Sequence, residues 1–160
     1  MSENLLLLRR KLDHLERMRQ HLEYSLGKVR EPLAKIARGA VPSLTPEEHE
    51  TITAFGARFA DFQEHIAKAM RGIAIEEEIN VERFGSVLAF MQKMEVLGDA
   101  ELWKAVRELR NSVNHVYEDD PDALFQLLDN LVKNVPFLIA THDNLKDFVR
   151  RTYAPESGEG

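Results

Sequence analysis

Apolar residues recur every three or four positions through most of this 160-residue chain. The first such stripe comprises Leu5, Leu8, Leu12, Leu15, Met18, Leu22, Leu26 and Val29. This spacing is the period of an amphipathic α-helix, whereas strict alternation of apolar and polar residues is typical of a half-buried strand. No segment has a convincing strand pattern, and the sequence therefore predicts an all-α fold.

Turn and capping residues divide the periodic segments into four long helices and one or two shorter helical pieces. Pro32 is expected to end or kink the first helix, and residues 39–42 to form a connector. Thr45-Pro46-Glu47-Glu48 has the residue types of a helix start. A third helix is expected from about Val81 to Glu95, and Pro136 is expected to kink the last one. The N-cap candidates of the later helices are Asp99 and Asp120. Together these signals predict an antiparallel up-down bundle of four to five helices.

The length of the chain fits one domain with one core. We expect residues 1–153 to form a single helical domain and residues 154–160, which are small and polar, to form a disordered C-terminal tail. The hydrophobic share of 44% and the charged share of 30% are ordinary for a globular protein.

Cysteine is absent, which excludes disulfides, thiolate catalysis and cysteine-based metal sites. The first residues lack the basic region and the cleavage site of a signal peptide, and no apolar run approaches the roughly 18 residues that span a bilayer. We therefore expect a cytoplasmic protein without a membrane partner. His65 and His142 show no partner pattern in the sequence, and no metal site is predicted.

The net charge of −6 argues at first against nucleic acid as a partner. Its distribution is uneven, because residues 1–38 carry nine basic and five acidic side chains. This basic first helix could attract phosphate locally, although a solvated helix face is the simpler interpretation of most of these charges.

The strongest functional signal is the segment from Arg110 to Tyr117, Arg-Asn-Ser-Val-Asn-His-Val-Tyr. It replaces good helix formers with polar residues that compete for backbone hydrogen bonds, as expected near a functional site. A fixed cation, an imidazole and a phenol together suit metal-independent RNA cleavage. His115 would act as general base or acid, and Arg110 would stabilise charge on the phosphorane. Asn111 would orient the histidine or bind phosphate, with Asn114 supporting, and Tyr117 would contact a nucleotide.

A simpler interpretation of the same residues is structural. Arginine and histidine near a helix C-terminus interact favourably with the helix dipole, Asn114 could close the helix as a C-cap, and Tyr117 could cover the bundle end. With Leu109 at the centre of the apolar stripe, an ideal helix places Arg110 and His115 on opposite flanks. For the two to converge, the helix must distort near Asn114, the arginine must wrap around, or two copies of the helix must meet in a dimer.

The spacing Arg-x4-His-x-Tyr, formed by Arg110, His115 and Tyr117, resembles the signature of the HEPN superfamily and, in its full form, that of the HepT toxins. The resemblance covers the whole chain as a helical bundle, but it is specific only from about Val81 to Leu138. It implies a HEPN-like bundle and a metal-independent endoribonuclease without cofactors. It also implies a homodimer in which two motifs line one cleft, acting on RNA (tRNA or mRNA).

The HepT resemblance further implies a type VII-like toxin–antitoxin pair. Its partner would be a minimal nucleotidyltransferase (MNT) antitoxin that attaches AMP to Tyr117 and thereby inhibits cleavage. The alternative is a non-catalytic subunit that binds nucleotide or substrate for a nucleotidyltransferase. A purely structural bundle is a third possibility, and the spacing of the motif alone does not separate the three.

Overall fold

The computed structural model describes residues 2–115 and 120–153, and these form five α-helices without a strand. They are α1 (Glu3–Ala37), α2 (Pro46–Glu76), α3 (Phe84–Lys93), α4 (Ala100–Asn111) and α5 (Pro121–Thr152). Two 3₁₀ turns, Val41–Ser43 and Val113–His115, lie in the connections. The predicted all-helical bundle is confirmed at this level, whereas the predicted disorder of residues 154–160 lies outside the described residues.

The two long helices α1 and α2 form an antiparallel pair that makes up most of the bundle. Near one end, the Asn4 side chain donates to the Gly72 carbonyl at 3.0 Å. Near the other end, Lys35 and Glu48 form an ion pair at 2.7 Å. Between these contacts the facing sides are mainly apolar, apart from a hydrogen bond that Arg58 donates to the Ser25 hydroxyl at 2.6 Å, so the pair is held mainly by buried hydrophobic area.

Helix α5 packs along α1 in the opposite direction. Arg9 near the start of α1 donates to the carbonyl of Tyr153 at 2.7 Å, and Arg19 farther along pairs with Asp143. By length and mean hydropathy α5 is the one described helix that could cross a membrane. It nevertheless carries eleven of the buried residues of the bundle, as a core helix does.

One contiguous core joins all five helices. Its largest fully buried side chains include the three phenylalanines of α2 and the single tryptophan, Phe55, Phe59, Phe62 and Trp103. All four rings therefore belong to the core.

The three predicted helix starts are confirmed. Thr45 and Glu48 form a reciprocal capping box, in which the Thr45 hydroxyl accepts from the Glu48 amide at 3.1 Å. Asp99 accepts from the Leu102 amide, and Asp120 accepts from the Asp122 amide, each at 3.0 Å. These local signals act over three residues, which is why they can be read from sequence.

Of the two outcomes predicted at Pro32, a helix end is wrong. Helix α1 continues past Pro32 to Ala37, because Pro32 itself is buried against the core and the turns beyond it are anchored by Ile36 and the Lys35–Glu48 ion pair. Pro136 lies within a continuous α5, and the kinks predicted at the two prolines stay predictions. Helix α3 is shorter than the predicted helix and begins at Phe84 instead of about Val81. The Asn80 side-chain oxygen accepts a hydrogen bond from the Glu82 amide at 2.8 Å, which holds the backbone before Phe84 in a turn.

Candidate functional site

Helix α4 carries the Arg110 end of the motif and is anchored at its start. The Ala100 amide donates to the Gln92 side chain of α3 at 3.0 Å, next to the Asp99 cap. Its buried residues are Trp103 and Val106, whereas Leu109 is only half-buried. The centre of the apolar face therefore lies about 60–120° from Leu109, on the side of Arg110, and the orientation predicted from sequence is corrected accordingly.

The α-helix ends inside the motif. Asn111 is the last residue of α4, and Ser112 is the C-cap, with its amide donating to the Leu109 carbonyl at 3.0 Å. Residues Val113–His115 then form a 3₁₀ turn. The prediction that Asn114 closes the helix is wrong by two residues. The helix distorts between Arg110 and His115, so the ideal-helix projection that separates them does not apply.

Arg110 and Asn111 are brought together by this helix end. The Arg110 Nη2 donates to Oδ1 of Asn111 at 3.0 Å. Arg110 is half-buried and Asn111 is exposed. Among the residues that the structure describes, no carboxylate lies within ion-pair distance of the Arg110 guanidinium. The amide oxygen thus orients a guanidinium whose other donors remain able to bind an anion.

The remaining motif residues are only partly described. Asn114 is exposed on the 3₁₀ turn. The backbone of His115 ends that turn, but its side chain and the whole of Tyr117 lie outside the described residues. The convergence of Arg110 with His115 therefore stays a prediction.

A second polar cluster, centred on His142, was missed by the sequence reasoning. The His142 ring is fully buried on α5, edge-on to Phe62 with ring centroids 5.4 Å apart. Its Nδ1 lies 3.4 Å from Nη1 of Arg19 and accepts from it. The ring is then neutral with its proton on Nε2, which has no hydrogen-bond partner in the described structure. The nearest carboxylate oxygen, in Glu16, is 3.9 Å away.

Burial lowers the pKa of His142 to about 4, and the neighbouring Lys146 adds to this shift. The surrounding carboxylates are shifted in the same direction for a different reason. A hydrogen bond from Lys146 lowers the pKa of Glu16, and one from Arg19 lowers the pKa of Asp143. The available signal was positional, since His142 lies four residues after Leu138 and three before Leu145, on the core face of α5.

Further histidines pair across α1 and α2 without forming a metal centre. The rings of His14 and His65 lie 5.6 Å apart between centroids. No group of three or more histidine, cysteine or acidic side chains with metal-binding geometry occurs among residues 2–115 and 120–153.

Comparisons with known proteins assign no family to the chain. No family model, no curated protein and no solved structure gives a significant match. The likeness to HEPN proteins consequently rests on the residues of the motif and on the helical architecture alone.

Proposed function

We propose that this chain is a metal-independent endoribonuclease of the HepT type, with Arg110 and His115 as catalytic residues. The observation that carries the proposal is the end of α4 at Asn111, between these two residues of the motif. A half-buried guanidinium, oriented by Asn111 and without a carboxylate partner in the described part of the chain, is suited to a phosphate oxygen.

The proposed chemistry needs only the RNA itself and two side chains. His115 accepts the proton of a 2′-hydroxyl, whose oxygen attacks the adjacent phosphorus. Arg110 stabilises the negative charge that accumulates on the phosphorane oxygens. The bond from phosphorus to the 5′-oxygen then breaks, and this oxygen takes the proton that His115 carries after the first step. The expected products are a 2′,3′-cyclic phosphate and a 5′-hydroxyl.

Regulation would act through Tyr117, two residues after His115. In the proposed reaction of the nucleotidyltransferase partner, the Tyr117 oxygen attacks the α-phosphorus of ATP and pyrophosphate leaves. The attached AMP would add bulk and negative charge to the motif and would compete with the RNA phosphate for Arg110. A Tyr117→Phe variant should therefore resist modification while it retains cleavage.

The test is cleavage of cellular RNA and tRNA in excess EDTA, after intact mass has shown that Tyr117 carries no AMP. We expect the wild type to cleave, and both His115→Ala and Arg110→Ala to lose at least about 100-fold in rate. Lys133→Ala, an exposed substitution on α5, serves as the control and should cleave as the wild type does. The absence of cleavage by folded, unmodified wild type would overturn the proposal.

The second candidate is a non-catalytic subunit that binds nucleotide or substrate for a nucleotidyltransferase. The observation that favours it is the exposed Asn111 amide with its bound guanidinium, which can hold a phosphate without any proton transfer. On this alternative, Arg110→Ala weakens binding of a nucleotide, and His115→Ala leaves it unchanged.

A further inference from the structure

A groove between α3 and α4 lies on the same helix as Arg110. It has a volume of about 410 Å³. Small residues form much of its wall, namely Gly85 and Ala89 on α3 and Ala100 on α4. An added Cβ at Gly85 would meet no other atom within 4 Å, so the groove is open at this point. A volume of this size accommodates a ligand of about one nucleotide, not a duplex.

The charged side chains that line the groove are both lysines. Lys93 comes from the last turn of α3 and Lys104 from the middle of α4, and no carboxylate lines the groove. Lys104 does pair with Glu101 at 3.1 Å, outside the groove. Because that pair is exposed, it contributes little free energy and can be exchanged for a phosphate contact.

One face of α4 connects the groove to the motif. Ala100, Lys104, Arg107 and Asn111 follow one another at spacings of four, three and four residues, which places them within about 60° of each other around the helix. Lys104 and Asn111 are about 10 Å apart along the helix axis. Asn111 in turn holds the Arg110 guanidinium.

This face carries two cations, of which Lys104 is exposed and Arg107 is half-buried. Within the described residues, Arg107 has no carboxylate at ion-pair distance, and the same holds for Arg110, which lies one turn farther along on the adjacent side of α4. Cations that follow one another at about 5 Å in rise suit an occupant with regularly spaced anionic groups. The groove lining has no aromatic side chain on which a base could stack. The groove would therefore recognise the charged backbone of its ligand, not the bases.

We propose that the α3–α4 groove binds the phosphodiester backbone of single-stranded RNA next to the position cleaved at Arg110. The proposal rests on the proposed ribonuclease function and extends it to the substrate path. Because phosphate contacts position a strand without reading its bases, binding in the groove is independent of sequence.

The experiment measures binding of a fluorescent single-stranded RNA by anisotropy, in the His115→Ala background so that the RNA stays intact. The groove variant is Lys93→Gln with Lys104→Gln. The matched control is Lys133→Gln, which also removes an exposed, ion-paired lysine but on α5. We expect the groove variant to bind at least about ten-fold more weakly. The slope of its log binding constant against log salt concentration should fall by the amount that corresponds to about two lost phosphate contacts. The control should bind within about two-fold of its parent.

Cleavage provides a second readout with His115 intact. A dinucleotide at Arg110 is too short to reach Lys104, so the groove variant should cleave it as the wild type does, while longer RNA is cleaved more slowly. If the wild type cleaves RNA and the groove variant binds and cleaves long RNA equally well, the groove proposal is wrong and the ribonuclease proposal stands. If the wild type neither binds nor cleaves RNA, both proposals fail.

Discussion

His142 places an imidazole inside the apolar core, and its neighbours keep it neutral. Arg19 donates to its Nδ1, Phe62 covers its edge, and Glu16 is too distant for a hydrogen bond to Nε2. Protonation would therefore add a third cation beside Arg19 and Lys146, opposed only by the carboxylates of Glu16 and Asp143, neither of which accepts a hydrogen bond from the ring. The charged groups that face it are Glu16, Arg19, Asp143 and Lys146.

This environment predicts that acid destabilises the fold through His142. The pKa of His142 is lowered to about 4 in the folded chain, from 6.5 when unfolded. Above pH 6.5 the ring is neutral in both states, and the stability that its burial contributes is fully present. As the pH falls from 6.5 toward 4, the free energy of unfolding decreases, because the unfolded state binds a proton that the folded state does not. By pH 5 we expect a loss of about 2 kcal/mol relative to neutral pH.

Urea unfolding at pH 7.5 and at pH 5 would measure this loss. His142→Gln should flatten the difference between the two pH values, whatever its effect on absolute stability. His21→Gln, at an exposed site on α1, is the control and should leave the difference intact. Glu16 and Asp143, with their lowered pKa values, contribute only at more acidic pH. An unchanged pH dependence in His142→Gln would refute the assignment.

Among the helices, α1 and α2 differ in how much space surrounds their glycines. Gly27 is exposed within α1, and an added Cβ there would meet nothing within 4 Å. Gly72 lies where α2 crosses α1, and an added Cβ would lie 3.3 Å from Cδ1 of the fully buried Leu8. The first glycine costs helix stability without a packing benefit, whereas the second permits the close approach.

Gly27→Ala is therefore expected to stabilise the chain by about 0.5–1 kcal/mol, since alanine loses less backbone entropy in a helix. The melting temperature should rise by about 1–4 °C. Gly72→Ala gains the same free energy from the higher helix propensity of alanine, but its Cβ must displace Leu8. The melting temperature of this variant should therefore rise less or fall. Equal stabilisation by both substitutions, measured by calorimetry, would contradict the close approach at Gly72.

At the scale of the whole molecule, the HepT resemblance implies that two copies of the chain form the proposed site. Arg110 lies on the last turn of α4, and the backbone of His115 ends the 3₁₀ turn that follows. A homodimer with two motifs in one cleft would supply both groups to one phosphate. We propose this arrangement together with the ribonuclease function, and it is open to direct measurement.

Light scattering should accordingly give twice the 18.4 kDa mass of one chain. If the site is shared, mixing Arg110→Ala with His115→Ala after partial unfolding and refolding should restore cleavage above that of either variant alone, because mixed dimers contain one intact pair. Refolded wild type is the control for recovery. A monomeric protein that cleaves RNA would show that Arg110 and His115 of one chain suffice.

Sequence reasoning succeeded where the physics is local. The Thr45 capping box and the Asp99 and Asp120 caps depend on residues two or three positions away, and the apolar stripes of α1, α2 and α5 predict their buried faces. A helix end at Pro32, one of the two outcomes predicted there, is wrong, because tertiary packing offsets the lost hydrogen bond. The predicted start of α3 is also wrong, because the Asn80 side chain accepts a hydrogen bond from the Glu82 amide.

The sequence by itself determined that the chain is helical, where most of its helices begin, and which segment carries Arg110, His115 and Tyr117, because these follow from spacing and residue type. Only the tertiary structure decided which side of α4 is buried, that α4 ends at Asn111, and that His142 meets Glu16 and Arg19 across two helices. Those outcomes depend on contacts between residues far apart in the chain, and no local pattern encodes the free energy of such contacts.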